Sequence, residues 1–321
     1  LLDEDHILGF DEIEVSKDDA KCKLAEKWMQ KTATDSELQV NEDDTQIHIK
    51  GREFAYTIDR RTALFTEMKF AGREYLNHPM ELNIWRAPTD NDMYIKAEWK
   101  KAHYDKAYTR AYTTEVVQGK HGVKIVSHAS VVAETVQKIL DVTITWKIDA
   151  SGKIDADIEA TKDGEFPDLP RFGVRMFLDK KLSDARYFGM GPQESYRDKH
   201  QAASHGLYRA NVGDLHEDYI RPQENGSHYD CEYVELNNSR YGIVASAEKA
   251  FSFNASYYTQ EELEKKTHNY ELIESDSVVF CVDYALNGIG SNSCGPVVLE
   301  QYRFDDVLFR FQFTLIPYVK G

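Results

Sequence analysis

With 321 residues, of which 41% are hydrophobic and 12% aromatic, the chain has enough apolar material for one large domain or two ordinary ones. This composition excludes a disordered chain, because disordered segments contain few aromatic and branched apolar residues. The 55 acidic residues outnumber the 39 basic ones, which gives a net charge of −16. An acidic surface repels nucleic acid and anionic membranes, so we expect a neutral small molecule or another protein as the partner.

The four cysteines, at positions 22, 231, 281 and 294, are far apart, and none belongs to a C-x-x-C pair. A zinc site is therefore not predicted. An even number of cysteines allows two disulfides, but four in a chain of this length is typical of reduced thiols. We therefore expect a cytoplasmic protein.

The N-terminal residues 1–16 are acidic and lack the basic segment of a secretory signal. The chain does not begin with Met, and we therefore expect a processed chain or a fragment of a longer one. Residues 1–16 resemble one strand of a different domain, because a lone strand cannot bury its apolar face. Residues 17–45 include a polar stretch without aromatics and are predicted to be a linker.

Antiparallel strands are predicted through much of the main domain, residues 46–321. The hydrophobic patterns place them at 46–50, 53–58, 139–148, 153–160, 171–178, 229–236, 242–247, 277–283 and 307–317. The strands at 139–148 and 153–160 are predicted to form a hairpin with one wet face. Helices are predicted at 96–108 and at 259–270, where Thr259 and Glu262 form a capping box. Since strands and helices do not alternate, we predict an antiparallel all-β sandwich.

The stretch ELNIWRAPTDND at 81–92 carries two carboxylates, Asp90 and Asp92, close to Arg86. One interpretation is an acid/base pair or a cation site. The other is a turn after Pro88, in which the aspartates accept backbone N–H groups and Arg86 pairs with a carboxylate. We favour the turn.

Two further segments have two interpretations each. The charged, aromatic bend at 187–198 predicts either the lining of a sugar cleft or a salt-bridged corner, and both remain open. The glycine-rich loop at 286–296 contains Cys294, which is either a nucleophile or a small apolar filler. We favour the filler. The segment 221–226 ends in Asn-Gly and is explained by a turn alone.

Six motifs occur in an order that resembles one known family. They are RAPTDND at 86–92, LPRFGVRM at 169–176, GMGPQESYRD at 189–198, YIRPQENG at 219–226, FSFNASYYTQEEL at 251–263 and GIGSNSCGP at 288–296. From about residue 36 to the end, the chain resembles the C-terminal part of the family 2 β-galactosidases, called the small chain or fifth domain. The segment HILGFDEIEVS resembles the last strand of the immunoglobulin-like fourth domain.

The resemblance implies an antiparallel β-supersandwich fold similar to that of galactose mutarotase. In the family, the catalytic glutamates and the magnesium ligands lie in a TIM-barrel domain, and this chain lacks its alternating strands and helices. The resemblance therefore implies no catalytic residue, metal or cofactor in this chain. It implies as partners a galactoside substrate and the catalytic large chain or N-terminal domains of a β-galactosidase, without which we expect no lactose cleavage.

The resemblance also implies two substrate-rim segments. One is the loop formed by Met93, Tyr94, Ile95 and Lys96, where Tyr94 replaces a hinge glycine of the best-known member. The other is formed by Asn292, Ser293 and Cys294, where Cys294 replaces a tryptophan that stacks on substrate. A thiol cannot stack in this way, so another aromatic side chain is required. Arg86, Asp90 and Asp92 are expected to brace the first loop.

Two other functions remain as alternatives. One is a stand-alone carbohydrate-binding module with its own cleft. The other is an aldose epimerase, which is suggested by analogy of fold alone and carries little weight.

Overall fold

Seventeen antiparallel strands form two sheets in the computed structural model, which describes residues 9–13, 38–136 and 138–320. The smaller sheet contains β1 (Gln39–Glu42), β2 (Gln46–Lys50), β3 (Phe54–Asp59), β4 (Leu64–Phe70) and β5 (Arg73–Glu74). The larger sheet contains β6 (Leu76–Asn83), β7 (Tyr108–Gly119), β8 (Gly122–Val132), β9 (Leu140–Asp149), β10 (Ile154–Lys162), β11 (Arg171–Asp179), β12 (Asp184–Gly191), β13 (Ser204–Asn211), β14 (Ser227–Asn237), β15 (Tyr241–Ser256), β16 (Ser277–Leu286) and β17 (Leu308–Val319). The predicted antiparallel all-β architecture is confirmed.

The larger sheet branches at β15, its longest strand. The first part of β15 pairs with β17, and the last part of β15 pairs with β16. From β16 the sheet continues to β11 and then to β6. Strands β11 and β16 are buried at nearly every position, so both of their faces are covered. By contrast, β13 at one edge alternates between partly buried and exposed residues. The branch therefore provides a covered layer beneath the loops that follow β6 and β16.

The predicted hairpin at 139–148 and 153–160 is confirmed by β9 and β10. Ile154 pairs with Ile148, and the register continues without a shift to Lys162 and Leu140. The connecting turn is stabilised by Asp149, whose Oδ1 accepts the backbone N–H of Ser151 at 2.8 Å. Buried residues alternate with partly buried or exposed ones along β10, as expected for a sheet with one wet face.

Aromatic side chains join the two sheets. Trp146 of β9 is fully buried, and its Nε1–H donates to the carbonyl oxygen of Ala63 at 2.8 Å. Its ring contacts Phe65 of the smaller sheet edge-on, with ring centroids 4.9 Å apart. Tyr56 of β3 reaches the β9–β10 turn by donating to the carbonyl of Gly152 at 2.7 Å. The two sheets therefore share one apolar core.

The two α-helices of the described residues are short: α1 covers Ile95–Lys101 and α2 covers Gln260–Lys265. As predicted, Thr259 caps α2 by accepting the N–H of Glu262 at 3.1 Å. The prediction of helix to residue 270 is wrong, because α2 ends at Lys265. Beyond it the Glu271 carboxylate accepts hydrogen bonds from backbone N–H groups, including that of Thr267 at 2.9 Å. The prediction of helix to residue 108 is also wrong, since His103 adopts a left-handed conformation that ends α1. Neither α1 nor α2 is long and apolar enough to span a membrane.

The predicted linker extends too far. Strand β1 lies inside residues 17–45 and pairs in register with β2. Leu38, just before β1, is buried, and its carbonyl oxygen accepts a hydrogen bond from the side-chain amide of Gln118 at 2.7 Å. Residues 14–37 lie outside the described part of the chain.

Of the predicted foreign strand at 1–16, only residues 9–13 are described, and they carry no regular secondary structure. They contact the edge of the larger sheet, where the Glu12 carboxylate lies 2.7 Å from Nδ1 of His205 in β13. The other ring nitrogen of His205 lies 2.9 Å from the carboxylate of Asp230. The imidazole is therefore held between two carboxylates.

Candidate functional site

Two loops that are far apart in sequence meet at Asn91. Its Nδ2 donates to the carbonyl oxygen of Gly290 at 2.8 Å, and its Oδ1 accepts the hydroxyl of Ser293 at 2.8 Å. The backbone N–H of Ser293 donates to the same oxygen at 3.2 Å. The segment after β6 is thereby joined to the loop after β16. Sequence reasoning did not select Asn91, although it lies inside the RAPTDND motif.

A buried ion pair lies beneath this joint. The guanidinium of Arg86 donates to the two carboxylate oxygens of Asp92 at 2.7 and 3.1 Å. Asp92 also accepts the backbone N–H of Thr89 at 2.9 Å, as expected for a turn. Arg86 further donates to the carbonyl oxygens of Asn287 and Gly288, at 2.5 and 3.1 Å. One cation therefore holds the base of both loops.

The two aspartates of the motif have different surroundings. The Asp92 side chain is only 3% exposed and is fully engaged by Arg86 and Thr89. Asp90 is exposed, and its backbone N–H donates to Oε1 of Gln223 at 3.0 Å. A paired acid/base function for the two is therefore not supported, and the ion pair with Arg86 involves Asp92 alone.

A cleft of about 280 Å³ lies beside the joint. Its walls come from the RAPTDND turn, the loop after β16, the bend after β12 and the segment before β14. The side chains that line it are mostly polar or aromatic and include Asp90, Asn91, Glu194, Tyr196, Lys199, Tyr219, Gln223, Glu224 and Ser293. Sequence reasoning considered a sugar cleft at 187–198 but did not link that segment to the others.

Glu194 fixes one wall of the cleft. Its carboxylate accepts the Lys199 ammonium at 2.6 Å, the Tyr219 hydroxyl, and the backbone N–H of Gly226 at 2.9 Å. Burial alone would lower the pKa of the Lys199 ammonium, but its hydrogen bonds to Glu194 and Tyr219 raise it above the ordinary value. The segment is therefore both a salt-bridged corner and part of the cleft lining, so the two interpretations of 187–198 are compatible.

A second buried charge cluster supports the floor. Arg171 donates to Asp283 at 2.7 Å and to Glu224 at 3.3 Å. Burial raises the pKa of both carboxyl groups, although the Arg171 charge opposes the change. The backbone N–H of Glu224 donates to the carbonyl oxygen of Ala87 at 3.0 Å, which ties the cluster to the RAPTDND turn. No local pattern marked Arg171 or Asp283 as a partner.

The buried carboxylates of the site therefore have structural partners. Asp92, Glu194 and Glu224 each contact a cation, and none of them stands free opposite another carboxylate as glycoside hydrolysis requires. Within residues 9–13, 38–136 and 138–320, no three His, Cys, Asp or Glu side chains are grouped to hold a metal ion. The arrangement is suited to binding hydroxyl groups.

The predicted rim residues differ in exposure, and among them Ser293 lines the cleft whereas Met93, Tyr94, Ile95, Lys96, Asn292 and Cys294 do not. Met93 and Tyr94 are exposed, whereas Ile95 begins α1 and packs on the core, and Lys96 is partly buried. In the second loop, Asn292 is partly buried and Ser293 is exposed.

Cys294 does not behave as a core filler. It is an exposed free thiol, so the favoured interpretation of this cysteine is wrong. Its backbone N–H donates to the carbonyl oxygen of Ser291 at 3.2 Å, and this turn presents the side chain to solvent. The other described cysteines, Cys231 and Cys281, are buried free thiols, and Cys22 lies outside the described residues.

Among solved structures, the galactose 1-epimerase from Lactobacillus acidophilus NCFM is similar, with a TM-score of 0.42 and 10% identity over 90% of this chain and 100% of that one. A GalM/aldose epimerase homologue from C. elegans has a TM-score of 0.40 and 8% identity over 89% of this chain and 99% of that one.

Sequence relatives are more similar. A β-galactosidase of Actinobacillus pleuropneumoniae is 42% identical over 316 residues, which are 98% of this chain and 30% of that protein. A β-galactosidase of Staphylococcus xylosus is 32% identical over 88% of this chain and 28% of its own length. The chain therefore spans less than a third of the length of these curated relatives. The family model described as β-galactosidase small chain matches residues 50–315. Since that match covers most of the sequence, the chain belongs to the β-galactosidase small chain family.

Proposed function

We propose that this chain forms one side of the galactoside site of a β-galactosidase and stabilises the assembled enzyme. The observation that carries the proposal is the joint at Asn91, which connects the RAPTDND turn to the loop after β16 beside one cleft, with the predicted rim residue Ser293 in the cleft lining. Each loop is held from below by the buried Arg86. A rim built in this way is preorganised, and preorganisation lowers the entropic cost of binding.

The cleft offers groups that bind neutral hydroxyls. The exposed carboxylate of Asp90 accepts hydrogen bonds, while the amide of Asn91 and the hydroxyl of Ser293 both donate and accept. Tyr219 lines the same cleft, and its hydroxyl is fixed by Glu194 and Lys199. We propose that its ring supplies the apolar face that Cys294 lacks.

The catalytic step belongs to another part of the enzyme in this proposal. Retaining hydrolysis uses two carboxyl groups about 5–5.5 Å apart, one of which attacks the sugar. The buried carboxylates of this cleft hold cations and cannot attack while they are so engaged. We propose that the catalytic glutamates and the magnesium lie in the part of the β-galactosidase that this chain does not span.

Exposed apolar side chains support contact with that catalytic part. The segments around the cleft expose Met93, Tyr94, Ile220, Val297 and Leu299, each at least 42% accessible. Exposed apolar surface rimmed by polar groups is typical of a protein contact. The same edge that carries the cleft is therefore the surface we assign to the partner.

The test uses enzyme reassembled from this chain and the part of the Actinobacillus pleuropneumoniae β-galactosidase that it does not match. Asn91→Ala removes three hydrogen bonds across the joint. Each is worth about 0.5–1.5 kcal/mol, so we expect the KM for o-nitrophenyl galactoside to rise roughly tenfold. We expect kcat to change less, because the chemistry lies on the partner.

The matched control is Asn211→Ala, which removes a loop-capping asparagine that accepts the N–H of Gly213 at 3.0 Å. Asn211 does not line the cleft, so the KM of this variant should equal that of the wild type. An Asn91→Ala enzyme with an unchanged KM would reject the proposed role of the joint.

A further inference from the structure

A second, larger cavity lies between the two sheets. Its volume is about 460 Å³, within the roughly 300–1,000 Å³ typical of small-molecule pockets. Residues of β4 form one side, and residues of β6 and the start of β7 form the other. Arg175 and Glu261 contribute to its lining, as do the aromatic rings of Trp85 and Tyr104. None of its lining residues belongs to the cleft described above.

Two buried polar groups in this lining have no partner among the described residues. They are the Nε1–H of Trp85, a residue 3% exposed, and the hydroxyl of Thr109, a residue 6% exposed. The indoles of Trp99 and Trp146 differ, because each donates to a backbone carbonyl at 2.8 Å. An unpaired buried polar group costs about 1–3 kcal/mol. Both residues line the cavity, so a molecule bound there is the nearest source of a partner for these two atoms.

The charges in the lining are neutralised locally. Arg175 binds Glu81 at 2.6 Å and Glu261 at 2.9 Å. Burial alone would raise the pKa of the Glu261 carboxyl, but the charge of Arg175 lowers it, so the group remains an ionised acceptor.

Two further carboxylates of the lining are also paired. Asp59 binds Arg61 at 2.8 Å, and Asp105 binds Lys100 at 2.9 Å. The lining contains four carboxylates but only two cations, Arg175 and Lys106, so its net charge is negative. The carboxylates keep lone pairs that accept hydroxyl groups. An anionic ligand is therefore disfavoured, and a hydroxyl-rich one is suited to the cavity.

We propose that this cavity binds a neutral, hydroxyl-rich small molecule of saccharide type. The Trp85 indole would donate to a ligand oxygen, the Thr109 hydroxyl would donate or accept, and the wall carboxylates would accept ligand hydroxyls. The aromatic rings of Trp85 and Tyr104 supply the apolar surface against which sugar C–H groups pack. The inference does not depend on the proposed function, because it needs no catalytic partner.

The test is titration of the 321-residue chain with lactose, followed by calorimetry and by tryptophan fluorescence. Thr109→Val removes an unpartnered hydroxyl, so it should leave thermal stability unchanged or higher while weakening lactose about tenfold. Trp85→Phe removes the other donor and should weaken binding to a similar degree. Lactobionate, an anionic analogue, should bind more weakly than lactose.

Thr114→Val is the matched control on the same strand. The Thr114 hydroxyl lies 2.9 Å from that of Ser127 and is not part of the cavity lining, so this variant should lose stability without losing lactose affinity. Tyr219→Ala removes a lining residue of the other cleft and should also retain binding. The proposal is overturned if lactose gives no heat at millimolar concentration, or if Tyr219→Ala abolishes binding while Thr109→Val does not.

Discussion

Replacing Asp92 with alanine should severely destabilise the chain, because it leaves the guanidinium of Arg86 buried without its carboxylate. The side chains of Arg86 and Asp92 are 0% and 3% exposed. The variant loses two charged hydrogen bonds and the acceptor for the N–H of Thr89. Removing one partner of a buried ion pair costs about 3–5 kcal/mol. The carbonyls of Asn287 and Gly288 still bind Arg86, so we expect a loss of about 3 kcal/mol.

The free energy of unfolding is measured by urea denaturation followed by tryptophan fluorescence, with the m-value checked for constancy. Asp157→Ala is the control, because Asp157 forms a similar two-oxygen contact with Arg310, whose side chain is 53% exposed. Water screens this exposed pair, so we expect a much smaller loss. Equal losses in the two variants would refute the reasoning from burial.

Three further changes test the fold and the cleft. Burial alone would lower the pKa of His205, but the carboxylates of Glu12 and Asp230 raise that pKa above 6.5. The stabilisation from this contact is therefore complete below pH 6.5 and is lost as the pH rises through the raised pKa. His205→Gln should remove this pH dependence of the melting temperature. Trp146→Ala should cost about 3–5 kcal/mol in urea unfolding, because it empties the contact between the sheets. Gly226→Ala should lower stability by more than about 1 kcal/mol, since Gly226 has a φ of +70° and an added Cβ would clash with the carbonyl of Leu215.

Each of these outcomes has a contrary result. A His205→Gln variant that keeps the wild-type dependence on pH would exclude the histidine as its source. A loss below about 1 kcal/mol for Trp146→Ala would mean that the sheets do not depend on this contact. A Gly226→Ala variant as stable as the wild type would show that the turn adopts another backbone conformation without cost.

The strands predicted from the sequence have one or two buried faces, and the edge strands β7 and β13 were missed. β4, β8 and β12 were also missed, although each has a buried face. β9 and β10 alternate apolar and polar residues, and β11 and β16 are apolar almost throughout, so their patterns are strong. β7 and β13 lie at the two ends of the main path of the larger sheet. Their residues are mostly exposed or partly buried, and this leaves no apolar face for a pattern to show.

The side-chain contacts of the site were also only partly predictable from the sequence. Arg86 and Asp92 are six residues apart, so their pairing follows from local turn chemistry. Asn91 and Ser293 are 202 residues apart, and spacing carries no information about such a contact. The exposed position of Cys294 likewise depends on the turn at Ser291, which the glycine-rich loop did not specify.

The most direct test is the hydrolysis of o-nitrophenyl galactoside by the unmatched part of the Actinobacillus pleuropneumoniae β-galactosidase, measured with and without this chain. We predict little activity for either part alone and restored hydrolysis when the two are combined in equal amounts. A catalytic part that is equally active and equally stable without the chain would contradict the role we propose for the chain as one side of the galactoside site.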